Sequence, residues 1–161
     1  MKISARKAIF GLVISVVTVG FLLPLAFWLI ALAIDRTFGW SPVLSKPVSQ
    51  VLSAASALIG VFWATWSYSH LVFVGRGLPQ EVFGIALHPT EVLVTTGPYA
   101  YTRHPMVIGL QFLLLGVAFL EQSIGGLILV PIATALILAY ELQFEEKGLA
   151  RRFGADYEEY R

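Results

Sequence analysis

The sequence predicts an all-α, polytopic membrane helix bundle of about four transmembrane helices. Three observations point there. Hydrophobic residues make up 57% of the 161 residues and charged residues only 13%. Mean hydropathy is +0.78, well above that of an ordinary soluble domain. The apolar residues also gather into uncharged runs long enough to cross a hydrocarbon core of about 30 Å at about 1.5 Å per residue.

The first run, Ala8 to Ile34, carries no charge. Its basic start (Lys2, Arg6, Lys7) and the small residues at 31 to 33 mimic a secretory signal, but the run is much longer than a signal core of roughly 7 to 15 residues. It reads as a retained first span, kinked at Pro24. A second uncharged run, Val48 to Gly75, is rich in small residues (Ser53, Ala54, Ala55, Ser56, Ala57, Gly60) that permit close helix packing. Two shorter runs follow, Met106 to Leu120 and Ile124 to Tyr140, separated by the polar corner Glu121-Gln122-Ser123. They read as a helical hairpin whose first arm is barely long enough to cross, with Gly109 and Gly116 on one face to receive a neighbour. Beyond Tyr140 the chain turns charged.

Basic residues gather at the N-terminus, in the loop carrying Arg76 and Arg103, and in the tail with Lys147, Arg151, Arg152 and Arg161. With four spans these segments share one side, which the positive-inside rule assigns to the cytoplasm. Both termini are therefore expected there, and the opposite face keeps only the links 35 to 47 and 121 to 123. A fifth membrane helix within 76 to 96 is the alternative, although the charges there argue against a full crossing. Net charge is +1, without the basic footprint of a nucleic-acid binder. The absence of cysteine excludes disulfides, thiolate metal sites, cysteine nucleophiles and S-palmitoylation.

The loop from Arg76 to His104 is long for a linker, and loops of that length are usually functional or disordered. Aromatic residues (Phe83, Tyr99, Tyr101) and the β-branched stretch at 92 to 96 favour order. Pro105 suits the first position of a helix, which places His104 at the cap and Arg103 before it. Such a terminus, with two cationic neighbours, favours an anion; the plainer reading is a capped helix marked by interfacial residues. Past the last span, Glu141 and Glu145 are one helical turn apart on one face, and Glu146 is rotated by about 100°. Their repulsion is tolerated where they are solvated or where a cation sits between them. His70, His88 and His104 are scattered, without metal-ligand spacing between histidines, so no metal is expected.

Together these segments resemble the isoprenylcysteine carboxyl methyltransferase and phospholipid methyltransferase superfamily of integral membrane enzymes. That superfamily shares a pattern close to G-x-Y-x-x-x-R-H-P-x-Y-x-G, followed after a hairpin by E-E, six residues, F-G and two tyrosines. Here the pattern falls on Gly97, Tyr99, Arg103, His104, Pro105 and Gly109, then Glu145, Glu146, Phe153, Gly154, Tyr157 and Tyr160. The match covers roughly residues 75 to 161. It divides a single integral membrane domain into an N-terminal helix hairpin, 1–75, and a cofactor-binding catalytic part, 76–161.

The resemblance implies S-adenosylmethionine as cofactor, bound at the cytoplasmic face of a prokaryotic cell membrane, with a lipid-like or small apolar acceptor arriving from the bilayer. By motif position the cofactor contacts fall on Glu91, Val92, Leu93, Val94, Tyr99, His104, Pro105, Met106, Val107 and Glu145. Arg103 and Glu146 are expected to orient that shell, and Glu141 or Glu146 to act as base. Two departures stand out. Val107 replaces a family tyrosine, and Glu141 replaces an arginine that in the isoprenylcysteine enzymes resembles a clamp for the substrate carboxylate. A glutamate repels a carboxylate, which favours an amine-bearing or hydroxyl-bearing lipid or another small apolar acceptor. Two alternatives are an NADPH-dependent membrane reductase of sterol-reductase type, whose cofactor phosphates would want more basic residues than this loop offers, and a non-catalytic membrane scaffold. Oligomeric state is not predicted.

Overall fold

The computed structural model describes residues 5–42, 44–78, 81–82, 85–86 and 88–161. The protein is an all-helical membrane bundle, with one two-residue antiparallel ladder in its long loop. Helix α1 (Ala5–Val17) and helix α2 (Leu23–Phe38) are joined by a π-turn at Thr18–Leu22 into one continuous rod. Where the sequence predicts a kink at Pro24, the structure has this π-turn just upstream, and the Leu23 N–H reaches back to the Thr18 carbonyl. A widened turn accommodates the ring that a regular helix would clash with.

Helix α3 (Lys46–Phe73) is the second span, and α4 (Pro105–Leu120) and α5 (Ile124–Gln143) form the expected hairpin. Among the described residues three rods are long and apolar enough to cross a membrane: Ile9–Phe38, Lys46–Phe73, and α5 continued through α6 (Glu145–Phe153). Helix α4, at 16 residues, is the shorter fourth. It can be short because protein surrounds it. The core cluster of Leu110, Leu114 and Ala118 from α4 with Phe27 of α2 and Val130 of α5 centres on it. Large apolar side chains such as Phe10, Phe21, Val51, Leu58, Phe62 and Leu136 point outward, as a lipid-facing surface requires.

Helices α3 and α4 meet through their small residues. A Cβ on Gly60 would lie 2.8 Å from the Gly109 carbonyl oxygen, and one on Gly116 3.3 Å from that of Ser53. Close backbone approach replaces hydrophobic driving force where lipid is the solvent. Buried hydroxyls on the same face are satisfied within α3: Ser49 donates to the Lys46 carbonyl and Ser67 to that of Trp63.

At one end of the bundle the two short links meet. The Gly125 N–H donates to Asp35 at 2.7 Å, the Gln122 amide donates to the Leu44 carbonyl, and Ser123 caps α5 by accepting from the Gly126 N–H. The long loop and the tail meet at the other end. There β1 (Glu81–Val82) pairs with β2 (Ile85–Ala86), the Leu78 N–H donates to the His88 carbonyl and the Glu91 N–H to that of Gly75. No helix occurs among the described residues of 76–96. Phe83 lies outside the described residues. The loop closes with a 3-10 turn at Gly97–Ala100, and the chain ends in α7 (Ala155–Tyr160).

Candidate active site

The site is built where that loop, the start of α4 and the tail converge. Pro105 opens α4 as its first residue and is fully buried, and His104 is the cap. The loop before it is held by Gly97, which has φ +62° and lies so close to His70 that a Cβ would fall 2.1 Å from Nε2. Only glycine meets both demands. His70 is thereby explained as packing: its Nδ1 lies 3.1 Å from the Trp66 carbonyl and its ring presses on the loop.

Arg103 and His104 at the helix start do face an anion, and it is the chain's own Glu146. Arg103 Nη1 lies 2.5 Å from Glu146 Oε1, and His104 Nε2–H donates to the same oxygen at 3.2 Å. Glu146 is buried, so this charge is matched by partners rather than by water. Glu145 and Glu141 turn to the other side of His104, where the three offer ligand atoms within 4.8 Å of one another. The rotation between adjacent glutamates thus sends one to the anchor and the other to the pocket.

A pocket lies beside this constellation, lined by the apolar Leu71, Leu78, Leu93, Val94 and Leu149 and by the polar Tyr99, Arg103, His104, Glu145 and Arg152. Tyr157 and Tyr160 of α7 line it as well. The Tyr160 hydroxyl donates to the Tyr99 carbonyl at 2.6 Å, tying tail to loop. Burial raises the Tyr99 phenol above the ordinary tyrosine range, and Glu145, Tyr160 and Glu141 push it further, so it stays a neutral donor. Burial likewise raises Tyr157, with Glu146 adding and Arg103 opposing. A second, open cleft adjoins, sharing Leu93 and Tyr160 and adding Glu91, Val92, Asp156 and Glu159.

Of the residues expected from the sequence, Leu93, Val94, Tyr99, Arg103, His104 and Glu145 line the inner pocket, and Glu91 and Val92 the outer cleft. Glu146 stands behind the wall as an anchor, and Glu141 stands at its edge beside His104 and Glu145. Pro105, Met106 and Val107 do not line the pocket; Pro105 and Val107 are buried in the α4 packing. Sequence reasoning missed Leu71, Leu78, Pro89, Thr90, Leu149 and Arg152 as pocket residues, and it had Tyr157 and Tyr160 only as motif positions. For Leu149 and Arg152 the signal was helical periodicity from Glu145, which Leu149 follows by one turn and Arg152 by two; the residues outside the tail had none. It also missed the nearness of two carboxylates to His104, because histidine spacing along the chain carries no information about distant glutamates.

The fold and the site define a polytopic membrane protein with a pocket of mixed charge and aromatic lining at one end of its bundle. The chain belongs to the phospholipid methyltransferase family, whose profile matches residues 48–156. It is 37% identical over 133 residues to methanethiol S-methyltransferase 2 of Bradyrhizobium diazoefficiens, covering 76% of this chain and 49% of the relative. It is 30% identical over 95 residues to the protein-S-isoprenylcysteine O-methyltransferase of Schizosaccharomyces pombe, covering 59% of this chain and 36% of that protein. The chain therefore spans about half the length or less of these curated relatives. No solved structure is significantly similar.

Proposed function

We propose that the protein is an S-adenosylmethionine-dependent methyltransferase that transfers a methyl group to a small apolar or lipid-like acceptor at the membrane surface. The observation that carries this reading is the mixed lining of the pocket, which combines Arg103, Arg152 and Glu145 with leucine and valine side chains. S-adenosylmethionine has matching parts: a zwitterionic amino-acid head, a sulfonium and a flat adenine. Glu145 complements its ammonium, the arginines its carboxylate, and the apolar wall its base. Membership in a methyltransferase family supports the same assignment.

The reaction is an in-line displacement. A lone pair on the acceptor forms the new bond to the methyl carbon while the carbon–sulfur bond pair returns to sulfur, which becomes a neutral thioether. No acid is needed for the leaving group, so alignment of the two reactants supplies most of the acceleration. The acceptor's proton needs a base, and Glu141 stands at the pocket edge for that role. Glu141 also disfavours a carboxylate acceptor. A small thiol is the first acceptor to test, with amine-bearing and hydroxyl-bearing lipids next, since the larger of the two similarities is to a methanethiol S-methyltransferase. The spread of basic residues supports a site on the cytoplasmic face.

Calorimetry with S-adenosylmethionine tests the cofactor. The purified protein should bind it at one site, and Glu145→Gln should weaken binding by about tenfold, the loss of one charge-assisted contact of about 1.5 kcal/mol. Saturable binding that is unchanged by Glu145→Gln would place the ammonium elsewhere, and no binding would remove the proposal.

A further inference from the structure

The far side of His104 supports a second assignment. Its Nε2 faces Glu146 Oε1 at 3.2 Å, and the Glu146 side chain is 9% exposed. A carboxylate only accepts, so Nε2 carries the hydrogen, and in the neutral ring Nδ1 carries the lone pair. That Nδ1 is turned toward Glu145, whose Oε2 is 4.0 Å away, and Glu141 completes a group of three ligand atoms within 4.8 Å. An imidazole whose other nitrogen donates to a buried carboxylate is the arrangement that fixes tautomer and ring orientation in metal-ligating histidines. Arg103, at 2.5 Å from Glu146, holds that orienting carboxylate in place from behind.

We infer that His104 Nδ1, Glu141 and Glu145 bind one divalent cation at the rim of the pocket. One nitrogen and two carboxylates suit Zn²⁺ and its neighbours, and three protein ligands leave a position open, as in catalytic rather than structural sites. Metal–ligand distances of about 2.1 Å put tetrahedral neighbours about 3.4 Å apart, so atoms now within 4.8 Å of one another must close by up to about 1.4 Å. Rotation of two half-buried glutamates on one helical face supplies that movement. Glu145 has two oxygens, one for the ion and one for the cofactor's ammonium. On the function proposed above, the open position faces the acceptor, where the ion replaces Glu141 as the group that generates the nucleophile, by lowering the pKa of a thiol or hydroxyl, and Glu141 then serves as ligand and not as base. That role rests on the proposed function; the binding does not.

The test is titration of Zn²⁺ into purified, tag-free, metal-stripped protein in detergent, followed by calorimetry and by metal analysis after gel filtration. One ion per chain is expected. Glu141→Gln and His104→Ala should each weaken binding by at least tenfold. Glu146→Gln, which touches no ion, should weaken it by about 10-fold to 100-fold through the histidine it orients. An unchanged gel-filtration profile for Glu141→Gln shows that the fold is kept. No stoichiometric binding, binding indifferent to Glu141→Gln, or Zn²⁺ expelled by S-adenosylmethionine would each overturn the inference. Cofactor binding without Zn²⁺ binding sinks this inference alone, whereas Zn²⁺ binding without methyl transfer sinks the proposed function alone.

Discussion

Glu146 is a single carboxylate that receives both an arginine and a histidine. Replacing it with alanine leaves Arg103, only 33% exposed, beside a vacated buried position. We expect Glu146→Ala to cost about 2–4 kcal/mol, seen as a lowered thermal transition in detergent, and Glu146→Gln to cost less because it still accepts. A small change in both variants would mean that the anchor is incidental. The tyrosines give a pH prediction. Tyr99, Tyr157 and Tyr160 all have phenols raised above the unfolded value of 10.0. The native state therefore holds these protons more tightly, so their contribution to stability is complete below pH 10 and is lost as pH rises through the folded values. Docking of the tail should accordingly weaken only in strong alkali, with tyrosinate absorbance appearing later than in the peptide Ala155–Arg161. At this scale the sequence predicted an anion site at Arg103 and His104 and a shared face for Glu141 and Glu145. It could not show that the nearest anion is Glu146, because that contact crosses 42 positions.

The elements were legible where periodicity or backbone chemistry decided them. Pro105 marked the start of α4, the polar corner at 121 to 123 marked the hairpin, and Gly109 and Gly116 marked the face that α3 occupies. The π-turn was not legible, since Pro24 signals a disturbed helix but not which upstream turn widens. Nor was Arg152, because the sequence does not say on which side α6 lays against the loop. Gly97 is the most sensitive joint between elements. Gly97→Ala forces a side chain into a left-handed backbone and into His70, at a combined cost of about 2–4 kcal/mol. Thermal stability and cofactor binding should fall together in this variant. A paired substitution that shortens His70, such as His70→Ala, should restore part of the loss, because it removes the clash and leaves only the backbone strain.

At the scale of the molecule, four helices place their short links at one end and every proposed site residue at the other. Shielding α4 on several sides leaves its N-terminal end as a fixed platform, while the tail, held by Tyr157 and the Tyr160 hydroxyl, forms the opposite wall. A pocket so placed, at the edge of an apolar bundle, can receive a polar cofactor from water and an apolar acceptor from lipid. The chain's central property should then be methyl transfer between the two. The most direct measurement incubates purified protein with methyl-labelled S-adenosylmethionine and, in parallel, a small alkyl thiol and a membrane lipid extract, and then follows label into the organic phase. Label is expected in a thioether or lipid product, reduced at least tenfold by Glu141→Gln or Glu145→Gln. Label at background with every acceptor, in protein that is folded and monodisperse, would contradict it.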